Sequence, residues 1–288
     1  MKTTKSVLLV CTSLLLLAFS NHTFAANRTW TGSVSVDWDN PQNWAENSVP
    51  TEDDSVIING FVTHQPTLDL SGGPVTIASL SIGATADSTL NVAFGDTETN
   101  RLIVNGDVHI GPKGVLTHEN NAAAATYLHK LFLEVGSDLT VDSGGQIQAV
   151  RKKYGGLGGG DFPSYGGQCS VACFGSFTRP THLGSSRQAT NNSAGGAIRI
   201  IVGGTLSNNG VINCNFGGSR ATGGSVWIET DILTGSGNIT ANGCNNASGG
   251  TIALYYSDRS TFSGQVLATG ATGGTIYEKP SGSTKGFL

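Results

Sequence analysis

"GGAIRIIV" at 195–202 returns as "GGSVWIET" at 223–230, "GGTIALYY" at 249–256 and "GGTIYEKP" at 273–280, the interval shortening slightly from copy to copy. A second element recurs between these copies: "NGVINCN" at 209–215, "SGNITAN" at 236–242 and "SGQVLAT" at 263–269. Its glycines, Gly210, Gly237 and Gly264, return at one constant interval. Self-similarity at a period of this size marks a solenoid or an array. Each unit holds two or three short β-branched runs broken by Gly, Asn or Ser, with no helical periodicity, as in one coil of a parallel β-helix. The repeats therefore predict an all-β fold, a single-stranded right-handed parallel β-helix.

Working backwards, "GDVHIGPKGVLTHE" from Gly106 and "GSDLTVDSGGQIQAV" from Gly136 fit the same template loosely, with Gly114 and Gly145 as matching corners. The stretch 151–194 has no strand pattern and reads as a long Gly-rich loop thrown out of one coil. Structureless stretches of that length are functional or disordered. The expected layout is a signal peptide over 1–25, an N-terminal cap and first strand over 26–58, coils over 59–150, the loop insertion over 151–194, and further coils over 195–288.

Parity along a strand assigns sides, because successive side chains point to opposite faces. Ile198, Val226, Ile252 and Ile276 are expected to stack inside, with Ile200, Ile228 and Leu254 beside them. Arg199, Trp227, Ala253 and Tyr277 then form one outward row, and Ile201, Glu229, Tyr255 and Lys279 the next. Ile212, Ile239 and Val266 make another inward row, with Cys214, Ala241 and Ala268 two residues on.

A β-helix needs its ends covered, since an open coil exposes apolar side chains and unpaired backbone groups. "TWTGSVSVDWDNPQNWAENSVPTEDDSVII" at 29–58 supplies Trp30, Trp38 and Trp44 for that purpose, Pro50 closes the segment, and the run from Asp53 starts the first strand. Its W-x-G…DW…NW…P…D-x-V-x-I pattern resembles the entry segment of bacterial surface and secreted β-helix proteins, including autotransporter-like adhesins. The later GG-x-I copies resemble Gly-rich repeat regions of large secreted proteins of environmental bacteria. The resemblance implies architecture rather than activity. The sequence departs from the surface-anchored pattern in having no translocating barrel, sorting motif or apolar anchor after "STKGFL".

Positions 1–25 read as a secretory signal: Lys2 and Lys5, an apolar run from Val7 to Phe19, and Thr23-Phe24-Ala25 before the cleavage point. That run is too short to span a bilayer, which takes about 20 residues. No second apolar segment follows, so no membrane span is expected in the mature chain. An extracellular location is expected, or the periplasm or outer surface of a bacterium. Loss of Lys2 and Lys5 moves the formal charge from −4 to −6, which argues against nucleic acid as a partner. Cys169, Cys173, Cys214 and Cys244 remain, an even number in an exported chain and so a candidate pair of disulfides. The favoured pairing joins Cys169 with Cys173 and Cys214 with Cys244, although Cys214 and Cys244 are offset by three residues in the repeat alignment. Zinc is the rival, but "CSVAC" has no second pair and no His at ligand spacing.

Two constellations carry candidate chemistry. Arg199, Trp227, Glu229, Tyr255 and Tyr277 could form a platform for a polysaccharide or cell-surface glycan: sugar C–H faces pack on aromatic rings while neighbouring charges meet hydroxyls or uronates. The competing reading is that the Gly-rich loop folds over them. The basic cluster "RKKYGG" at 151–156 suggests a polysaccharide lyase by fold analogy. Lys152 or Lys153 would be the base and Tyr154, Tyr165 or His182 the acid. The competing reading is a solvated basic turn. The acidic residues are adjacent or scattered and nominate no glycosidase pair. His64, His109, His118, His129 and His182 read as surface residues. No nucleophile elbow, phosphate loop or metalloprotease helix is present, so neither a cofactor nor a metal is expected. The sequence thus favours a structural or adhesive binder of polysaccharide, with a secreted polysaccharide-degrading enzyme as the alternative.

Overall fold

The computed structural model describes residues 25–96, 98–121, 128–152, 175–186, 194–218 and 220–288. They form nineteen short strands: β1 (Asn27–Thr29), β2 (Ser55–Ile58), β3 (Thr67–Asp69), β4 (Val75–Ile77), β5 (Ser79–Ile82), β6 (Ser88–Ala93), β7 (Leu102–Val104), β8 (Val108–Ile110), β9 (Gly114–His118), β10 (Leu131–Val135), β11 (Leu139–Val141), β12 (Gln146–Gln148), β13 (Ala197–Asn208), β14 (Val211–Asn213), β15 (Ser225–Thr234), β16 (Asn238–Thr240), β17 (Thr251–Asp258), β18 (Val266–Leu267) and β19 (Thr275–Pro280).

Every strand-to-strand ladder is parallel, so the chain winds as a β-helix with three faces per coil. The first face stacks β4, β7, β10, the leading halves of β13 and β15, then β17 and β19. The second stacks β1, β2, β5, β8, β11 and the trailing halves of β13 and β15, and the third runs β3, β6, β9, β12, β14, β16, β18. The first two faces fuse through β13, whose leading half pairs with β10 and trailing half with β11. Between the halves, Gly203 and Gly204 pass the bend made by 136–138 in the coil below, and Asp138 Oδ1 accepts the Thr205 N–H at 2.7 Å.

The repeated "GG" has a steric cause. A Cβ on Gly195, Gly223 or Gly249 would overlap the carbonyl of Cys214, Ala241 or Ala268 respectively. At this corner the chain runs too close to its neighbouring segment for any side chain, once per coil.

The expected registers hold. Ile198 pairs with Val226, Val226 with Ile252 and Ile252 with Ile276, while Ile200, Ile228 and Leu254 align beside them. Ile212, Ile239 and Val266 align on the third face. All but the last-coil Ile276 and Val266 are buried in one continuous core; a fully buried aliphatic side chain of this kind contributes about 1.5–3 kcal/mol.

The tryptophan segment closes one end. Trp30, Trp38 and Trp44 belong to the core. Trp44 meets Trp30 and Trp38 edge to face, with centroids 5.0 and 4.8 Å apart. Both indole N–H groups that the packing would otherwise strand find acceptors: Trp44 Nε1 donates to the Trp38 carbonyl at 2.9 Å, and Trp30 Nε1 to the His64 carbonyl at 2.8 Å. Buried Asn43 accepts from Val34 N and Ser35 N and donates to the Asp37 carbonyl and Ser35 Oγ. Asp54 accepts from Ala26 N, Arg28 Nε and both Thr51 donors. Burial alone would raise its pKa, but these hydrogen bonds outweigh it and hold the carboxyl below its usual value. At the opposite end Glu278 occupies an inward position beside Leu254. There it accepts from the Tyr256 hydroxyl at 3.0 Å and pairs with Arg259.

The expected Cys214–Cys244 disulfide does not form; both thiols are free and buried. Cys214 Sγ donates inward to the Ser225 carbonyl at 2.9 Å. Cys244 Sγ, past the corner, accepts from Ala221 N and donates to Asn246 Oδ1. The three-residue offset sends the two sulfurs to different partners. Cys169 and Cys173 lie outside the described residues, as does the signal segment 1–24. His118 corrects the surface reading of the histidines, since it is fully buried. No helix among the described residues is long and apolar enough to cross a membrane.

Candidate functional site: an outer groove on the last coils

Outward residues of the first face build the site. Phe132, Arg199, Trp227, Ala253 and Tyr277 occupy one row on successive coils. The Arg199 guanidinium lies 3.9 Å from the Trp227 ring centroid and 4.6 Å from that of Phe132, and Arg101 lies 5.5 Å from the Phe132 centroid. Cation and aromatic ring thus alternate along the axis, each pair worth about 0.5–2 kcal/mol. Glu134 and Glu229 in the neighbouring row pair with Arg101 at 2.6 Å and Arg199 at 3.1 Å.

This stack is covered. Trp227 retains 7% exposure and Phe132 2%, so Trp227 is not the open sugar platform that its outward parity suggested. Part of the cover is the returning end of the insertion, residues 175–186. Phe177 packs edge to face on Tyr277 with centroids 5.7 Å apart. The Thr178 carbonyl accepts from the Tyr255 hydroxyl at 2.7 Å, and the His182 carbonyl accepts from Ser225 Oγ at 2.5 Å. Ser185 exchanges hydrogen bonds with Thr222, and Leu183 is buried. The segment is a strap that crosses β19, β17 and β15 in turn.

Beside the strap the face opens into a groove of about 520 Å³. It includes the whole second outward row, Ile201, Glu229, Tyr255 and Lys279, and adds Asp231, Ser257, Ser281 and Ser283. Tyr255 and Tyr277 rings lie 5.8 Å apart. Burial first, then Tyr277 and the Glu229 carboxylate, push the Tyr255 hydroxyl above its usual pKa, so it stays protonated and keeps donating to Thr178. Arg199 Nη2 donates to Oε1 of Glu229 at 3.1 Å. The groove therefore mixes an aromatic edge with acceptor and donor groups of both signs, a lining suited to a hydroxyl-rich ligand.

The lyase constellation is elsewhere. Lys152 follows β12 and is half-buried. Burial pulls its pKa below the ordinary lysine range, with Glu119 partly offsetting the shift. Buried Asn121 fixes this corner by donating to the Lys152 and His129 carbonyls and accepting from His129 N. His182 is at the surface, where partial desolvation by the atoms around its ring and then Lys130 lower its pKa. Neither Lys152 nor His182 lines the groove. Lys153, Tyr154 and Tyr165 lie outside the described residues. Beneath this corner His118 is held by the Glu119 carbonyl at Nδ1 and by Ala197 N at Nε2. No group of His, Cys, Asp or Glu that could hold a metal occurs among the described residues.

The sequence reading missed Asp231, Ser257 and Ser281. The signal was available, because each lies two residues past Glu229, Tyr255 and Lys279 and so shares their outward parity. It also missed Arg101 and Phe132, whose strands match the GG-x-I copies only in their alternation.

Comparison with known proteins adds no activity. Residues 29–128, the tryptophan cap and first coils, match a family described as Domain of unknown function (DUF8693). No curated protein matches the chain, and no solved structure matches it.

Proposed function

We propose that the protein is an exported structural or adhesive β-helix that binds polysaccharide in the groove beside the strap. The observation that carries this reading is the alignment of outward Glu229, Tyr255 and Lys279 on three consecutive coils within one open groove. Nothing in that alignment is needed for the core, which the opposite parity builds. Glu229 and Asp231 against Lys279 leave the lining slightly acidic, which favours a neutral glycan over a uronic or sulfated one. Export rests on the signal-like segment 1–25, and the adhesive role on the resemblance of the entry segment to surface β-helix proteins.

A second reading, polysaccharide cleavage, draws support from Lys152, whose half-buried amine loses its proton more readily than an ordinary lysine's. Binding leads because the groove and that amine belong to different places.

The test is incubation of the purified protein with neutral, uronic and sulfated polysaccharides, following bound protein and polymer length together. Retention on a neutral polymer without shortening supports binding. Shortening that disappears in Lys152→Ala supports the enzyme, and retention on none of the polymers removes both.

A further inference from the structure

Three coils present the same outward pair two residues apart: Glu229 and Asp231 on β15, Tyr255 and Ser257 on β17, and Lys279 and Ser281 at the end of β19. Glu229, Tyr255 and Lys279 are in register. Asp231 falls opposite Ser257, between the Thr230–Tyr256 and Ile232–Asp258 pairs. All six residues line the groove. Each coil therefore offers one polar rung about 7 Å wide, and rungs repeat every ~4.8 Å along the axis, the spacing of hydrogen-bonded strands.

The coil below breaks the pattern. There Ile201 takes the place of Glu229, and the position two residues on is Gly203, which has no side chain. Beyond β19 the chain turns back, with Phe287 bridging to Glu278. The polar rungs thus number three among the described residues, bounded by an apolar rung on one side and by the folded-back segment on the other.

We infer that the groove takes a linear neutral polysaccharide lying along the solenoid axis, one sugar unit per coil, with three units engaged by the rungs 229/231, 255/257 and 279/281. This rests on the groove being a polysaccharide site. A pyranose unit in an extended chain advances by close to one coil spacing, so successive units each meet a polar rung without the ligand bending. A chain lying across the axis would meet one rung and then the strap or the corner.

The exposed rung ends are available for a ligand. Asp231 and Ser257 are at the surface, and Glu229 lines the groove beside them. Tyr255 is the exception, since its hydroxyl is held by Thr178, and its ring edge is what the middle unit meets.

The experiment is calorimetric titration of the intact protein with oligomers of one to six units cut from neutral β-glucans, mannans and xylans, alongside the parent polymers. Affinity is expected to rise ~5- to 10-fold per unit up to three and then to stay within about twofold. In Lys279→Ala/Ser281→Ala, which removes the terminal rung, the plateau is expected at two units. A plateau at one unit, a steady rise to six, a plateau unmoved by that variant, or binding of polymers without oligomers overturns the axial three-rung register while the groove reading survives. Absence of binding by oligomers and polymers alike removes both.

Discussion

Tyr255 donates its hydroxyl hydrogen to the Thr178 carbonyl at 2.7 Å, joining the floor of the groove to a strap far earlier in the chain. That bond and the Phe177–Tyr277 contact hold the strap against the outer face, so the groove wall depends on them. Tyr255→Phe removes the bond while keeping the ring, at a cost of about 1 kcal/mol. The expected readout is faster chymotryptic cleavage in the strap, after exposed Phe177, with little change in the urea midpoint of the core. Unchanged cleavage would mean that other contacts fix the strap.

Removing one ring from the cap should be costly. Trp44 touches both Trp30 and Trp38 and is 1% exposed. Trp44→Ala is expected to destabilise by ~3–5 kcal/mol and to promote self-association by uncovering the first coil. Val34→Ala, at a half-exposed site in the same segment, should stay within about 0.5 kcal/mol. Urea unfolding with light scattering compares them, and equal small effects would deny the capping role.

Acid should weaken the protein through His118. Burial, opposed by the hydrogen bond to the Glu119 carbonyl and assisted by Lys152, His129 and Lys130, lowers its pKa from 6.5 to about 3. Between those values the unfolded chain binds a proton that the folded chain refuses, so stability falls as pH drops from 6.5 towards 3, by at most ~5 kcal/mol. Asp54, whose folded pKa is depressed, adds to the loss only at lower pH, below its unfolded value of 3.8 and through its folded one. Urea midpoints from pH 7 to pH 4 should decline in the wild type. They should decline less steeply in His118→Gln; parallel slopes would contradict the assignment.

The two buried thiols give a chemical check. Burial raises the Cys214 pKa well above that of a free thiol, which suppresses its reactivity. Without reductant, iodoacetamide should label Cys214 and Cys244 slowly in the native protein and fully in denaturant. Labelling that needs reductant as well as denaturant would restore a disulfide.

The repeats at 195–280 made the coils legible, because a near-constant period combined with strict alternation sets both the stacking and the inward rows. Ile198, Val226 and Ile252 align as read. The limits come from what alternation leaves out. Parity says that Trp227 leaves the core, but not that Arg199, the strap and its neighbours cover it on the other side. Cys214 and Cys244 looked like partners by count, yet their three-residue offset gave each sulfur a nearer acceptor. His118 read as a surface histidine because no local pattern shows that its imidazole bridges Glu119 and the distant Ala197. Cover from outside the coil and hydrogen bonds between distant segments leave no trace in the alternation.

The central claim is that polysaccharide is held on the outer rungs of the last coils and not at the Lys152 corner. Affinity electrophoresis in gels containing the retaining neutral polymer tests it directly, comparing wild type, Asp231→Ala/Ser257→Ala and Lys152→Met at matched folding. Measured against polymer-free gels, the account predicts that the rung variant loses most of its retardation while Lys152→Met is retarded as much as wild type. Retardation kept by the rung variant and lost by Lys152→Met would contradict it.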